Sequence, residues 1–245
     1  MVRNNPEGGR AAEEAGVLAF LKKEPLLRVQ ALEWMRLGRG KVLAQAEGGA
    51  LVLDTESGVP MLCAEDVDTA LRLLDALPNP DILVCDLEEA DGAVMRRLGF
   101  TGRAPYHNYV YLSDMPLPEE TDVRLLPLPL SEAERVSRHY HIHTLGELRE
   151  IIRQGRLMGG YAGGELAGFI GWHEEGSIGM LHVFGSYRRK GYGRAMEARL
   201  INLTLAQGRR PFGQVGADND ASRRLQEGLG LTRCEKTVSW LFREE

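Results

Sequence analysis

Residues 180–194 (Met-Leu-His-Val-Phe-Gly-Ser-Tyr-Arg-Arg-Lys-Gly-Tyr-Gly-Arg) place an apolar strand ahead of a basic turn, and a long helical pattern follows. A helix start presents unpaired N–H groups and the positive end of the peptide dipole, which suits an anion. Gly191 and Gly193 let the backbone approach such a guest closely. Arg188, Arg189, Lys190 and Arg194 add four positive charges with no acid among them. A pyrophosphate is the natural ligand; the plain alternative is a solvated basic turn. Downstream, Asp218, Asn219 or Asp220 can cap a helix that Gly230 ends, and capping alone accounts for that segment. His139-Tyr-His141-Ile-His143 invites a metal reading, but the preceding pattern is helical and no fourth ligand is evident, so a helix-end and loop cluster fits better.

These residues need a frame. A strand is expected at 122–128, helices at 131–140 and 144–154, and strands at 157–163, 165–173 and 177–184. A helix over 191–207 carries Met196, Leu200, Leu203 and Leu205 near helical spacing. A strand (211–217), a short helix (220–228) and a last strand (235–242) close the chain. Earlier, the pattern gives helices at 11–23 and 25–37, a hairpin near 41–55, a helix at 66–77, a strand at 81–86, a helix at 87–98 and a strand at 103–112. Tyr161 and Trp172 read as core or rim, and Trp34, Tyr109, Tyr111 and Trp240 as packing residues.

The chain divides by charge. Residues 1–115 hold 12 Lys/Arg and 18 Asp/Glu, the remainder 18 and 17. Ser113–Thr121, with two prolines and three acids, reads as a linker. A repeat supports two halves, 1–115 and 122–245. A single offset of 131 positions carries Leu98-Gly99 onto Leu229-Gly230, Pro80 onto Pro211 and Tyr109 onto Trp240. Hydrophobic residues make up 43%, enough to bury a core, and the net charge of −5 disfavours nucleic acid as the main partner. No apolar run approaches the length of a membrane span, and the acids near the N-terminus do not suit a signal peptide. Three widely spaced cysteines (Cys63, Cys85, Cys234) fit a reducing cytoplasm.

In this order and spacing, the two segments resemble the GNAT superfamily of acyl-CoA-dependent N-acyltransferases. Arg188-x-x-Gly191-x-Gly193 is similar to its pyrophosphate loop. Asn219-x-x-Ser222-x-x-Leu225 through Leu229-Gly230 is similar to its downstream helix motif, and Gly208-Arg-Arg-Pro211-Phe212 resembles most the glycine N-acyltransferase-like branch. The resemblance implies an α+β fold of tandem GNAT-like domains, each a mixed, mostly antiparallel sheet flanked by helices. The first half resembles a degenerate copy, since residues 54–71 contain no Lys or Arg and no G-x-G.

It further implies an acetyltransferase that moves an acetyl group from acetyl-CoA to the amine of a small molecule or amino acid, with no metal, by direct attack in a ternary complex. Pantetheine would lie between the strands at 178–184 and 211–217, touching Leu181, Val183 and Phe184. The pyrophosphate would sit on Arg188, Arg189, Lys190, Gly191, Tyr192, Gly193 and Arg194, and Asn219, Ser222 and Gln226 would complete the cofactor contacts. The acceptor would enter over 139–150 and the strand at 157–163. Many relatives carry a tyrosine as general acid where this chain has Gln226, and several place a base where it has Ser177. His182 ranks first as the substitute base, followed by Glu175 and Glu174; a solvated turn for the glutamates and an interior histidine are the plain alternatives. A non-catalytic acyl-CoA-binding or interaction module is the rival function, and a homodimer stays open.

Overall fold

The computed structural model describes residues 6–77, 79–119 and 121–244. Residues 1–5, where the reading of the N-terminus begins, and Glu120 of the expected linker lie outside them. The chain runs α1 (Pro6–Leu21), α2 (Val29–Arg36), β1 (Gly40–Ala46), β2 (Gly49–Asp54), β3 (Pro60–Ala64), α3 (Val67–Leu73), β4 (Ile82–Cys85), α4 (Glu88–Leu98) and β5 (Gly102–Val110). It continues β6 (Arg124–Pro127), α5 (Ala133–Ser137), α6 (Leu145–Arg153), β7 (Leu157–Ala162), β8 (Glu165–Trp172), β9 (Ile178–Val183), α7 (Tyr192–Ala206), β10 (Phe212–Val215), α8 (Asp220–Gly228) and β11 (Thr232–Phe242). Among the described residues no helix is long and apolar enough to cross a membrane.

Two compact units result. Unit 1 comprises residues 1–109, 215–220 and 233–245, and its sheet order is β1-β2-β3-β4-β11-β5. β1–β2, β2–β3 and β4–β11 pair antiparallel, β3–β4 parallel. Unit 2 comprises 110–214 and 221–232, ordered β10-β9-β8-β7-β6, antiparallel except for β9–β10. Both units are mixed, mostly antiparallel sheets flanked by helices. The expected halves differ from these units: residues 110–115 fall in unit 2, while residues 215–220 and the closing strand, expected with the second half, belong to unit 1. There Trp240 stands opposite Val84. Val238 packs with Trp34 and Leu21, and Leu241 packs with Leu83 and Val94, so β11 buries apolar side chains on both faces.

Two further differences matter. The pattern misses β3. Its five residues, Pro-Met-Leu-Cys-Ala, are all buried, so no in–out alternation marks them. The helix expected at 131–140 is a short helical turn followed by five-residue α5, which ends at Ser137. α6 follows the expected bounds closely because Thr144 and Glu147 form a reciprocal capping box at its start. Within the expected linker at 113–121, Asn202 of α7 bonds both the N–H and the carbonyl of Leu117, at 2.7 and 2.9 Å.

The core of unit 2 puts α5 and α6 on one face of the sheet, with Leu148, Ile151 and Val136 against Phe169 and Met180. α7 packs on β7 and β8 through glycines. A Cβ on Gly160 would meet the Met196 sulfur at 2.1 Å, and one on Gly168 would meet the Met196 methyl at 3.0 Å as well as the His182 carbonyl of β9 at 2.2 Å. Side chains there would lift the helix off the sheet.

Candidate functional site

β9 and β10 are parallel neighbours joined at a single register position, Ile178 opposite Gly213. Beyond it the strands part. β9 is also bulged: its register with β8 slips by one residue between Phe169/His182 and Gly171/Gly179, and Met180 inside the bulge has φ +54. A left-handed methionine within a strand is a strained conformation of the kind that collects at functional sites. The bulge re-aims the following side chains. Leu181 and Val183 turn toward the start of α7, within 3.9 Å of where a Cβ of Gly193 would lie. His182 and Phe184 point to the opposite face.

α7 begins at Gly191, which has φ +79 and makes no side-chain cap bond, and its first turn holds no acid. Its first N–H groups therefore open toward a loop of exposed Arg188, Arg189 and Lys190. Two of the four expected cations are engaged within unit 2. Arg188 Nε donates to the Val183 carbonyl at 2.9 Å, and Arg194 Nη1 donates to the Gly228 carbonyl at the end of α8 at 2.5 Å. Arg194 thus ties α8 to α7. A cavity of about 160 Å³ adjoins this loop, lined by Gly191, Arg194 and Arg199 on one side and Leu117 and Thr121 on the other. Ser222 and Gln226 lie on α8, while Asn219, just ahead of that helix, falls in the segment grouped with unit 1.

On the opposite face of β9, His182 stacks between Phe169 and His139, with ring centroids 5.4 and 4.8 Å away. Phe184 completes the cluster, and the Arg135 guanidinium lies 4.2 Å over its ring. Burial chiefly, then His139 and Arg188, push the His182 pKa down, so the ring is neutral near pH 7 and able to take a proton. Burial, followed by His173, likewise lowers His143. Of the two candidate glutamates, Glu174 is exposed near Arg156, whereas Glu175 is buried and accepts the Ser177 hydroxyl. A solvated turn therefore describes Glu174 but not Glu175. His139, His141 and His143 lie in the α5–α6 loop, and among the described residues no group of three His, Cys, Asp or Glu is placed to hold a metal. Trp172 is buried and donates to Thr204 at 2.8 Å.

One pair was not anticipated. Glu197 of α7, 3% exposed, accepts a hydrogen bond from the Gln226 amide nitrogen of α8. Burial drives the Glu197 carboxyl up to about 7. The signal was available: Glu197 shares the spacing of Leu200, Ile201 and Thr204, all on the buried face of α7.

Unit 1 handles the corresponding places differently. β3 and β4 pair at two register positions, and Asp86, just past β4, closes the gap further: its N–H bonds the Leu62 carbonyl and its Oδ1 accepts the Ala64 N–H at 2.8 Å. Buried Arg28 donates to Asp86 at 2.6 Å. The helix after β3 is capped by its own carboxylate, with Asp66 accepting from the Thr69 N–H and hydroxyl, both at 2.8 Å.

Comparisons with known proteins bear on the fold. Residues 157–241 match the family model of FR47-like proteins. The structure resembles a Drosophila protein with a TM-score of 0.63, at 18% identity, covering 95% of this chain and 96% of that one. It also resembles a putative GNAT-family acetyltransferase from Novosphingobium aromaticivorans (TM-score 0.55, 18% identity, 92% and 99% covered) and a GCN5-related N-acetyltransferase from Kribbella flavida (0.53, 13%, 90% and 96%). The chain has a GNAT acetyltransferase fold. No curated protein matches its sequence.

Proposed function

We propose that unit 2 is an N-acetyltransferase that moves an acetyl group from acetyl-CoA to the amine of a small molecule or amino acid. The observation that carries this reading is the β9–β10 gap opening onto the uncapped start of α7. The residues present fit the group. Gly191 leaves the α7 N–H groups free of a side-chain cap, and Arg189 and Lys190 stand beside them to take the pyrophosphate. The pantetheine arm lies along β9 in the gap, against Leu181 and Val183. The thioester supplies an activated acyl carbon, and the chain's residues position it and the amine for direct attack. His182, neutral and on the face away from α7, takes the proton that the ammonium must lose. Glu175 is the reserve candidate.

Unit 1 reads as a duplicated, silent copy, supported by the matching left-handed glycines that follow α4 and α8, Gly99 (φ +69) and Gly230 (φ +83). With Asp86 and Arg28 in the place of the gap, it binds no acetyl-CoA, giving one site per chain.

The test is calorimetry with acetyl-CoA on the wild type and Gly191→Glu. The substitution puts a charge and a strained side chain at φ +79 and is expected to cut affinity roughly tenfold or more. Unchanged affinity in a folded Gly191→Glu protein, or two equivalent sites per chain, refutes the assignment. The absence of a tyrosine at Gln226 favours a second reading, a non-catalytic acyl-CoA binder. It shares the binding result but releases no thiol across a panel of amino acids, polyamines and peptides.

A further inference from the structure

We propose that Gln226 donates a hydrogen bond to the sulfur of acyl-CoA as it departs, and that Glu197 is the positioning residue that holds the Gln226 amide for that contact. The proposal rests on the acyl-CoA reading of the β9–β10 gap.

The pair lies where the gap begins. The Gln226 Nε2 atom would be 3.6 Å from a Cβ on Gly213, closer than any other Gln226 atom, and Gly213 carries the single register pair from which β9 and β10 part. Gln226 is 6% exposed, and its Oε1 is buried with no hydrogen-bond partner among the described residues. An ionised carboxylate only accepts, so it would answer the amide N–H of Gln226 and leave Oε1 empty. A protonated Glu197 answers both: its carbonyl accepts from Nε2, and its O–H donates to Oε1. Burial, with no cation counted among its influences, favours that neutral form. The closed acid–amide pair would use one of the two N–H groups of Nε2 and leave the other for a second acceptor.

The step then balances. The amine nitrogen forms the C–N bond, the C–S bond breaks, and its electron pair stays on sulfur. The proton of the attacking ammonium goes to the base on the far side of β9. Gln226 contributes a hydrogen bond and gives up no proton. Sulfur leaves as a thiolate, tolerable for a thiol of pKa ~8.5, and takes its proton from solvent after release.

The experiment titrates the thiol of bound CoA by its thiolate absorbance, alongside acetyl-CoA affinity and kcat with whichever amine the wild type accepts. Wild type, Gln226→Leu, Glu197→Leu, Glu197→Gln and the double variant Glu197→Leu/Gln226→Leu are compared; the double variant replaces the polar pair with an apolar one where a single variant fails to fold. Removing the donor is expected to raise the bound thiol pKa by about one unit, a tenfold change in proton affinity. It should lower kcat roughly 10- to 100-fold with KM for acetyl-CoA little changed. Glu197→Leu should behave as Gln226→Leu does. Glu197→Gln carries the same donor and acceptor as the protonated acid, so it should rescue the titration that Glu197→Leu loses. A bound thiol that titrates alike in wild type and in a folded variant lacking Gln226 overturns the proposal while leaving the acyl-CoA site standing. Failure of the wild type to bind CoA or acetyl-CoA overturns both.

Discussion

α3 follows β3 and α7 follows β9, and their first turns have opposite character. Asp66 closes the start of α3 from within, with Glu65 and Asp68 beside it, so the N–H groups are answered and the local field is negative. At α7, Gly191 supplies no cap and the flanking side chains are cationic. The strands repeat the contrast. β3 and β4 are stitched together by Asp86, while β9 and β10 separate after one pair. On the proposed reading, the site is defined as much by the groups left out as by those supplied, and one cap and one buried ion pair mark the unit that lacks it.

The comparison can be broken from the unit 1 side, where the largest effect is expected. Asp86→Ala strands Arg28 as a buried unpaired cation and should cost about 3–5 kcal/mol in denaturant unfolding. The apolar double variant Arg28→Met/Asp86→Leu should recover most of that loss.

Glu197 of unit 2 is a buried acid with no cation against it among the described residues, and this sharpens the contrast. Below pH 4.5 Glu197 is protonated whether folded or not. Between 4.5 and about 7 the unfolded chain loses the proton while the folded one keeps it. Stability should therefore fall as pH rises through that window, by up to about 3 kcal/mol. Glu197→Gln should flatten this slope in thermal unfolding measured from pH 4 to pH 8.

His182→Ala should slow turnover about 10²-fold with acetyl-CoA affinity unchanged. In the wild type, kcat/KM should rise with pH as the imidazole loses its proton, with a midpoint below 6.5 because burial lowers it. The smallest effect belongs to Asp66→Ala. Losing the cap should cost about 1 kcal/mol, and calorimetry should still count one acetyl-CoA per chain, because Asp86 and Arg28 remain in place.

The start of α7 was legible because glycine, cations and the switch from strand to helix periodicity coincide within fifteen residues. The capped ends of α6, α4 and α8 were legible for the same local reason. Features that depend on what a segment packs against were not. β3 hides among buried residues with no alternation, and the bulge at Met180 leaves no mark in the residue type. Asp86 looks like the polar end of a strand until Arg28, 58 residues earlier, is found against it. Glu197 stands between the two cases: its type reads as a solvated helix acid, but its spacing with Leu200, Ile201 and Thr204 marks it as buried.

The placement of β11 sets a timetable for synthesis. Unit 1 needs Trp240 opposite Val84 to fill its sheet between β4 and β5. A ribosome adding about 5–20 residues per second delivers that strand roughly 10–30 s after β4. During that interval β4 lacks its native neighbour on one edge, and the row of unpaired backbone groups there is open to any other strand. Unit 1 therefore stays incomplete until the last strand emerges, and unit 2 has all of its own strands synthesised before that.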